Sequence, residues 1–258
     1  MGEALIRGLL ASATFTGNEI MASDRRGRRR RAIAQEQKVK VTADNRRAVR
    51  FGDIVVLAIK PQNLPPLLEE IASELRPGQL LISILAGIST AYFERKLPQK
   101  IPVIRVMPNT PVLIQAGITA ISAGKYADKE DLKTAEKIFS SVGSVVKMKE
   151  EMLDAVTAVS GSGPAYLYYF TEALAAAARE LGLKKPLAEV LAVKTVVGSA
   201  KLLEESGQSA EALRRQVTSP GGTTEAALRV LEEANFADLL KEAIKKAWER
   251  SRELGREI

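Results

Sequence analysis

The sequence has 258 residues, 46% of them hydrophobic, and a formal net charge of +7, which allows one or two domains with a sizeable core and favours anionic small-molecule ligands. It contains neither cysteine nor histidine, which excludes disulfides, thiolate catalysis and metals ligated by these residues, and we predict no metal site. Because no apolar run reaches about 18 residues, we expect no membrane span and a cytoplasmic location.

The first part of the chain alternates between predicted helices and strands. It opens with a helix over residues 1–11, although an α/β domain normally opens with a strand. The run over 54–59 is continuously apolar, as in a strand that is buried on both faces of a sheet. Further strands are predicted over residues 19–23, 38–41, 80–84, 101–107, 117–122 and 145–146, with a turn and helix cap over 42–45 and further helices over 67–75 and 129–141. This alternation is typical of a parallel, right-handed sheet.

A charged segment follows the strand predicted to end at Ser23. In a dinucleotide-binding fold this strand end grips the adenosine ribose, where an acidic side chain suits NAD and arginine suits NADP. Asp24 therefore favours NAD, whereas Ser23, Arg25 and Arg26 favour NADP. The basic run over 25–31 has no interleaved aromatic residues, which argues against a nucleic-acid stacking platform. We interpret it as the solvated face of a helix near a nucleotide phosphate and predict no nucleic-acid partner.

Two further candidate ligand contacts lie beyond strand ends, where open α/β sheets bind their ligands. Lys60 follows the apolar strand, and Asn109 follows the strand over 101–107. Both are also compatible with an ordinary loop lysine and an ordinary turn asparagine, so position alone leaves both alternatives open.

From residue 150 no further strand is predicted, and a last helix covers 236–254. The SGSGP stretch at 160–164 predicts a helix break or a cap for the next helix. Two strongly apolar helices, over 170–181 and 190–204, need burial on more than one side, which exceeds what one small domain covers, so we predict a dimer interface there. We interpret four aromatic residues as core: Tyr166, Tyr168, Tyr169 and Phe170.

A stretch near the C-terminus combines a tight turn with the start of a helix. Pro220, Gly221 and Gly222 cannot continue a helix, since proline lacks the N–H group and glycine favours positive φ. We predict Thr223 or Thr224 as the N-cap of the next helix. Hydroxyl groups and free backbone N–H groups would then line a pocket at the positive end of that helix, which suits a carboxylate or phosphate. A plain connection with an ordinary threonine cap is the alternative.

Motifs along almost the whole chain resemble one enzyme family. The pyrroline-5-carboxylate reductase family is matched by four segments: SPGGTTEAAL at 219–228, SGSGPAY at 160–166, RVMPNTP at 105–111 and AIKP at 58–61. The resemblance implies an α/β fold in which a Rossmann-type parallel-sheet domain (1–149) precedes an all-α dimerisation domain (150–258). It also implies hydride transfer from NADPH, with NADH as an alternative, to C5 of 1-pyrroline-5-carboxylate, giving L-proline in the last step of proline biosynthesis.

The resemblance assigns ligand-binding residues as well. Gly221, Gly222, Thr223 and Thr224 would hold the substrate carboxylate, mainly through backbone N–H groups, and Ser219 would shape the loop. The Thr224 hydroxyl is the catalytic candidate, near the imine nitrogen. Small residues after the strand over 80–84 would let the nicotinamide approach the backbone. The expected cofactor-binding residues are Gly2, Ser23, Arg25, Asn45, Ala58, Lys60, Pro61, Ala86, Gly87, Asn109, Ser162 and Gly163.

The resemblance implies an assembly too. In the family the SPGG loop belongs to an intertwined helical dimer, so we expect a homodimer formed through the C-terminal helical domain. Its active site would lie where two subunits meet. A higher oligomer of dimers stays open.

The N-terminus departs from the family pattern. Met1 to Leu5 match only the tail of a fingerprint that opens with a strand and two glycines, and Gly2 would be its third glycine, which allows close helix–strand packing. We expect Met1 to be an internal methionine of a longer protein, the alternative being a truncated relative with impaired cofactor binding. The missing strand would lie mid-sheet, so its loss would expose two strand edges inside the domain.

Two other functions remain open. One is another NADP-linked imine or hydroxy-acid reductase with a helical second domain, in which Lys194 or Lys201 would act as the acid. The other is a non-catalytic basic binding protein that uses the arginine run over 25–31, for which steeply salt-dependent nucleic-acid binding would be the sign.

Overall fold

The computed structural model describes residues 1–256, which form two compact units. Of the described residues, the first unit comprises 1–162 and 246–256, and the second comprises 163–245. The sequence-based boundary at 149/150 stays a prediction. Within residues 1–256, every helix is too short or too polar to cross a membrane.

The first unit contains seven strands in two sheets. Their bounds are β1 Met21–Ser23, β2 Lys40–Thr42, β3 Ile54–Leu57, β4 Leu80–Ser83, β5 Val103–Pro108, β6 Gly117–Ala123 and β7 Gly143–Lys147. The first two strands pair in parallel, and the other five form a sheet in the order β3-β4-β5-β6-β7. All seven predicted strands are present, with ends that differ by up to two residues.

One strand pair departs from the predicted parallel sheet. β6 runs antiparallel to β5, with Pro108 opposite Thr119, whereas β3-β4, β4-β5 and β6-β7 are parallel. A parallel crossover needs a dozen or more residues. The connection over 109–116 is shorter than that, so the chain reverses and the wholly parallel sheet predicted from the alternation is wrong at this pair.

Helices surround these strands. The first unit contains α1 Gly2–Ala11, α2 Gly27–Gln37, α3 Asn45–Phe51, α4 Leu64–Ile71, α5 Thr90–Lys96, α6 Lys129–Ser140 and the short α7 Leu153–Val156. The predicted helical start at residues 1–11 is confirmed. The predicted cap before α3 is also confirmed, because the Asp44 carboxylate accepts from the backbone N–H groups of Arg46 and Arg47.

The core of the first unit lies in two buried clusters. In one, the fully buried Phe93 of α5 packs with residues of α4 and of β3 to β5. In the other, the buried Phe139 of α6 packs with residues of α1 and of β4 to β6. Both clusters draw on β4 and β5, so helices cover the two faces of a central sheet, as α/β architecture requires.

Each of the two sheets has an edge strand that pairs with another strand on one side only. Within residues 1–256, β1 pairs only with β2, and β3 pairs only with β4. The expectation of two strand edges is therefore confirmed. Ile54, Val55 and Val56 are only half-buried, so the expectation that this strand is buried on both faces is wrong, because the strand lies at a sheet edge.

The second unit is entirely helical. It contains α8 Gly163–Glu180, α9 Lys185–Ser206, α10 Ala210–Gln216, α11 Thr223–Glu233 and the first part of α12 Phe236–Leu254. Ala188 and Ala192 of α9 are buried, and α9 packs against α8. These small side chains let one side of the two helices approach closely.

Much of the apolar surface of α8 is exposed in a single chain. Tyr168 is 61% exposed, Tyr169 75% and Phe170 48%, while Tyr166 is half-buried. The assignment of Tyr168, Tyr169 and Phe170 to the core of the chain is therefore wrong. These side chains are exposed because α9 covers only one side of α8 in this chain. This agrees with the expectation that such apolar helices need a further covering surface.

Candidate functional site

The turn before α11 is built on two glycines. Gly221 has φ +72°, a left-handed conformation that side chains other than glycine's rarely adopt. The N–H group of Gly222 donates to the carbonyl oxygen of Ser219 at 3.0 Å, and a Cβ on Gly222 would lie 2.5 Å from Ser219 Oγ. Ser219 therefore closes the turn, as the sequence predicted for its role in shaping the loop.

The helix that follows begins without a side-chain cap. Gly222 is the N-cap of α11, and no side chain caps it. The prediction of Thr223 or Thr224 as N-cap is wrong, because the glycine turn already brings Thr223 into helical geometry. A carboxylate oxygen of Glu225 instead reaches back and accepts from the N–H of Gly221 at 2.8 Å.

The backbone N–H groups of Thr223 and Thr224 lie in the first turn of α11. Such groups lack an intrahelical acceptor, and they carry the partial positive charge of the helix start. Thr223 is exposed and Thr224 is half-buried. Their N–H groups are two of those that the sequence predicts to receive a small carboxylate, and the Gly221 N–H of the same turn already donates to Glu225.

In the first unit, Ser23 at the end of β1 lies next to Asn45 at the start of α3. Ser23 Oγ donates to Asn45 Oδ1 at 2.7 Å. The Asn45 side-chain amide donates to Glu70 Oε2 at 2.9 Å. The structure thus joins two residues that the sequence assigned independently to the adenosine end of a nucleotide.

Asp24 is engaged by Arg26. The backbone N–H, Nε and Nη2 of Arg26 donate to its carboxylate at 2.8, 3.1 and 3.0 Å. These hydrogen bonds, the side-chain ones first, lower the pKa of Asp24 below its ordinary value. A carboxylate held this way is a poor acceptor for a ribose hydroxyl, while the Arg25 side chain is exposed.

Of the remaining arginines in the basic run, some bond to other residues of the protein and others are exposed to solvent. Arg30 Nη1 donates to the carbonyl oxygens of Asp24 and Arg25, and Arg29 Nη2 pairs with Glu3 Oε2 at 2.6 Å. Arg28 and Arg31 are exposed. Since α2 begins at Gly27, the interpretation of this run as a helix face is confirmed.

The segment after β3 lies against α1. A Cβ on Gly2 would be 3.1 Å from Ala58 Cβ, so the absence of a side chain permits the close helix–strand packing expected of Gly2. Ala58 and Lys60 are exposed beyond the carboxyl end of the strand, and Pro61 opens a single 3-10 turn over Pro61–Asn63.

Gly87 has a packing role that the sequence did not predict. It has φ +77°, and a Cβ there would lie 2.7 Å from the carbonyl oxygen of Ser251 and 3.0 Å from the N atom of Gly255. A Cβ on Gly255 would in turn collide with the Gly87 carbonyl. The loop after β4 therefore packs backbone to backbone against the end of α12. Ala86 beside it is half-buried.

Asn109 joins the ends of two strands. It is 9% exposed, and its Oδ1 accepts from the backbone N–H of Ile118 at 3.0 Å. The bond fixes the turn from β5 into β6, so the structure gives this asparagine the turn role that the sequence left open.

The SGSGP segment interrupts the helical chain and leads into a new helix, as predicted for a helix break or cap. Residues Thr157–Gly161 form a π-helical turn between α7 and α8, and Ser162 keeps right-handed helical dihedrals. Ser162 N–H donates to the Thr157 carbonyl at 2.8 Å. Gly163 begins α8, where an added Cβ would meet open space. Widened turns of this kind are rare and occur often at functional sites.

Sequence reasoning missed an ion cluster around a buried arginine in the first unit. Arg105 of β5 has a side chain only 6% exposed, with Nη2 at 2.8 Å from Asp154 Oδ1 and Nη1 at 3.5 Å from Glu150 Oε1. A single charged residue inside an otherwise apolar strand was the available signal, because a buried cation is stable only when it is paired.

The two lysines proposed for a rival mechanism, Lys194 and Lys201, lie exposed on α9. Neither is placed in a buried environment of the second unit. No feature of a single chain therefore marks either of them as an acid.

Two family models match the chain. One is described as pyrroline-5-carboxylate reductase dimerisation and matches residues 150–254. The other is described as NADP oxidoreductase coenzyme F420-dependent and matches residues 1–87. Each match falls on the part of the chain for which the motifs predicted that role.

Curated relatives extend the match to the full length. A pyrroline-5-carboxylate reductase of Synechocystis sp. is 42% identical over 257 residues, covering 99% of this chain and 95% of the relative. The chain belongs to the pyrroline-5-carboxylate reductase family. The family resemblance and the fold class predicted from the sequence are thereby confirmed.

Solved structures of family members agree in three dimensions. A pyrroline-5-carboxylate reductase from Coxiella burnetii aligns with a TM-score of 0.90 and 38% identity, covering 98% of this chain and 94% of the other. The Plasmodium falciparum pyrroline carboxylate reductase, solved with NADP bound, aligns with a TM-score of 0.89 and 30% identity, covering 99% and 94%. The likeness extends over both compact units.

Proposed function

We propose that the protein reduces 1-pyrroline-5-carboxylate to L-proline, with hydride supplied by NADPH, as the last step of proline biosynthesis. The observation that carries this function is the glycine turn into α11, which presents the N–H groups of Thr223 and Thr224 in a chain of this family. Ser23, Arg25 and Asn45 fit the adenosine end of NADPH, since Asp24 is already neutralised by Arg26.

The chemistry suits a chain without histidine. A cyclic imine is basic enough to be protonated near neutral pH, and the resulting iminium is already electrophilic. The protein must then hold the substrate carboxylate and align the ring with the nicotinamide. We assign the carboxylate to the N–H groups of Thr223 and Thr224, within the turn formed by Ser219, Gly221 and Gly222.

Thr224 is the proposed catalytic residue. Its hydroxyl oxygen would accept a hydrogen bond from the N–H of the protonated imine and hold the bound ring in one orientation. Its partial burial favours this role over Thr223, which is exposed. A hydrogen bond to a fixed hydroxyl oxygen is stronger away from bulk water.

The remaining cofactor contacts are proposed at strand ends of the first unit and in the SGSGP segment. Near the pyrophosphate and ribose we place Gly2, Ala58, Lys60 and Pro61. Near the nicotinamide we place Ala86, Gly87, Asn109, Ser162 and Gly163. Gly87 and Asn109 have the packing roles described above. Their contribution to cofactor binding would therefore be through backbone groups or indirect.

The protein is a homodimer through its C-terminal helical part, which we assign to residues 150–258. A higher oligomer of dimers and a cytoplasmic location are proposals that rest on the sequence. Sedimentation velocity of the purified protein tests the first, and fractionation of the native cell tests the second.

The decisive experiment follows NADPH oxidation by the purified protein with and without 1-pyrroline-5-carboxylate, and repeats it with NADH. Substrate-dependent oxidation with kcat/KM higher for NADPH is expected. Thr224→Val should reduce kcat/KM by about 10- to 100-fold, the range for loss of one hydrogen bond to a reacting group. Thr134→Val, the same change on α6, should match the wild type. Absence of substrate-dependent oxidation with either nucleotide would refute the function.

A further inference from the structure

Among the described residues of the first unit, Arg105 is the most deeply buried charged group. Its strand register places it between Ser83 of β4 and Ser122 of β6, and both serines are buried. A polar row of three residues therefore crosses the middle of the sheet. Its guanidinium needs partners, since a buried and unpaired charge would be very unfavourable.

Two carboxylates supply those partners, and each is held by a second element. Asp154 Oδ1 lies 2.8 Å from Arg105 Nη2 and also accepts from Ser251 Oγ at 2.9 Å. Glu150 lies 3.5 Å from Arg105 Nη1 and accepts from the N–H and the hydroxyl of Thr90 at 2.7 and 2.6 Å. The cluster therefore links β5 with the start of α5, with the segment over 150–156 and with α12.

The cluster also lies close in sequence to both passages of the chain between the two units. The chain leaves the first unit after Ser162 and returns to it at Lys246. Asp154 precedes the first passage by about two helical turns, and Ser251 follows the second by about one and a half turns. One carboxylate thus joins the outgoing and returning segments within the first unit.

A second contact ties β5 to the same outgoing segment. Met107 lies two residues after Arg105, so both side chains project from the same face of the strand. A Cβ on Gly161 would lie 2.5 Å from the terminal methyl carbon of Met107, so the π-helical turn rests directly on this side chain. The segment over 154–161 is therefore held at two points along β5.

We propose that Arg105 is a positioning residue: through Asp154 and Glu150 it sets the placement of the SGSGP segment and of the end of α12. This inference rests on the proposed function, in which Ser162 and Gly163 contact the nicotinamide. Misplacing such a segment by about 1 Å is enough to cost on the order of 100-fold in rate.

The physical chemistry favours positioning over stabilisation as the reason for this cluster. A buried ion pair loses much of its attraction to desolvation, and apolar residues of similar volume often serve stability equally well. A guanidinium, however, fixes direction, because its planar donors bind two acceptors at set angles. Arg105 donates to Asp154 through Nη2 and forms an ion pair with Glu150 through Nη1, and neither the single nitrogen of a lysine nor a methionine can reproduce this arrangement of two nitrogens.

The test compares Arg105→Lys, Asp154→Asn and the milder Ser251→Ala with Gln79→Met as a matched control. Gln79 is also buried and donates to the Val49 and Gly52 carbonyls of the first unit, away from the cluster. We expect Arg105→Lys and Asp154→Asn to lower kcat about tenfold or more, with KM for 1-pyrroline-5-carboxylate changed less than about threefold. Gln79→Met should lower only the melting temperature.

Trp248 gives a readout that does not depend on activity. It is the sole tryptophan of the sequence, is half-buried, and lies three residues before Ser251 on α12. If the cluster places α12, the three cluster variants should increase iodide quenching of Trp248, and Gln79→Met should not. The quenching measurement tests the positioning role even if the wild type reduces no pyrroline substrate. In that case only the proposed function fails.

The proposal is overturned by either of two results. One is a set of folded cluster variants with wild-type kcat and only a lower melting temperature. The other is Trp248 quenching in Ser251→Ala and Asp154→Asn that equals the wild type. Ser251→Ala removes one hydroxyl and leaves both carboxylates paired with Arg105, so it keeps the test valid if Arg105→Lys does not fold.

Discussion

At the scale of single residues, the pairing of Asp24 with Arg26 determines what the end of β1 offers to a nucleotide. The carboxylate receives three hydrogen bonds from one arginine, and the neighbouring Arg25 is left exposed. The local charge that a ligand meets is therefore positive, although the sequence alone shows acidic and basic residues side by side. This arrangement favours a 2′-phosphate over a free 2′-hydroxyl.

Substituting either partner should shift cofactor preference in a predictable direction. Arg26→Ala frees the Asp24 carboxylate, which should lower the ratio of kcat/KM for NADPH to that for NADH by about tenfold, the effect of one charged hydrogen bond. Asp24→Asn should leave the ratio of kcat/KM for NADPH to that for NADH unchanged or raise it. The measurement is steady-state kinetics with both nucleotides, with Arg47→Ala on the exposed surface of α3 as control. An unchanged ratio in Arg26→Ala would contradict this assignment.

The same pair gives a pH dependence with a definite sign. Hydrogen bonds from Arg26 lower the pKa of Asp24 in the folded protein. Such a carboxylate contributes stability that is present above its unfolded pKa, near about 4, and is lost as the pH falls through the lower folded value. Both side chains reach solvent, so the contribution is small.

Residue-level prediction succeeded where the signal was local. The Asp44 cap is read directly from an acidic residue before a helical pattern. Arg105 was missed because its partners, at positions 150 and 154, lie far along the chain and belong to other elements. The Gly87 contact was missed for the same reason, since its partners Ser251 and Gly255 also lie far along the chain.

At the scale of elements, the turn into α11 depends on one left-handed residue. Gly221 has φ +72°, and an added Cβ would meet no neighbour, so a substitution there tests backbone conformation alone. Gly221→Ala should destabilise the turn by about 1 kcal/mol and shift the N–H groups of the next helix. We expect KM for 1-pyrroline-5-carboxylate to rise several-fold.

The control for that change is Gly182→Ala. Gly182 also has a positive φ, +94°, and also has open space around its Cβ, but it lies in the connection between α8 and α9. It should lower the melting temperature similarly without raising KM. Equal KM values for both variants and the wild type would rule out a substrate role for the Gly221 turn.

Element type was predictable, whereas the direction of β6 and the cap of α11 were predicted wrongly. The bounds of α12, Phe236–Leu254, agree with the prediction because its charged and apolar residues alternate regularly over the whole length. The antiparallel β6 was in principle readable from the short connection over 109–116. The Gly222 cap required knowing which residue of the glycine turn first reaches helical dihedrals, which composition does not specify.

At the scale of the whole molecule, the helical unit leaves a large apolar surface uncovered in one chain. α8 and α9 border a cleft of about 520 Å³, lined by residues such as Leu167, Val193 and Val197. Leu191 is 48% exposed and Val193 also 48%. An exposed surface of this kind belongs at an interface, in agreement with the dimerisation family that matches residues 150–254.

Placing a charge in that surface should separate the subunits. Val193→Asp buries a carboxylate at the interface, which should raise the dimer dissociation constant by at least about 100-fold, equivalent to about 2.7 kcal/mol. Sedimentation equilibrium over a concentration series measures the change. Lys194→Asp on the neighbouring face of α9 is the matched control. A dimer of unchanged affinity in Val193→Asp would contradict the placement of the interface on this surface.

The discontinuous first unit has a consequence for how the protein is made. Gly87 and Asp154 are synthesised well before residues 251–255, which they hold in the finished fold. Because domains generally fold as they emerge from the ribosome, the sheet must form with this side uncovered while the whole helical unit is translated. Completion of the first unit therefore waits for residues 251–255, and its final packing is a late, long-range event in biogenesis.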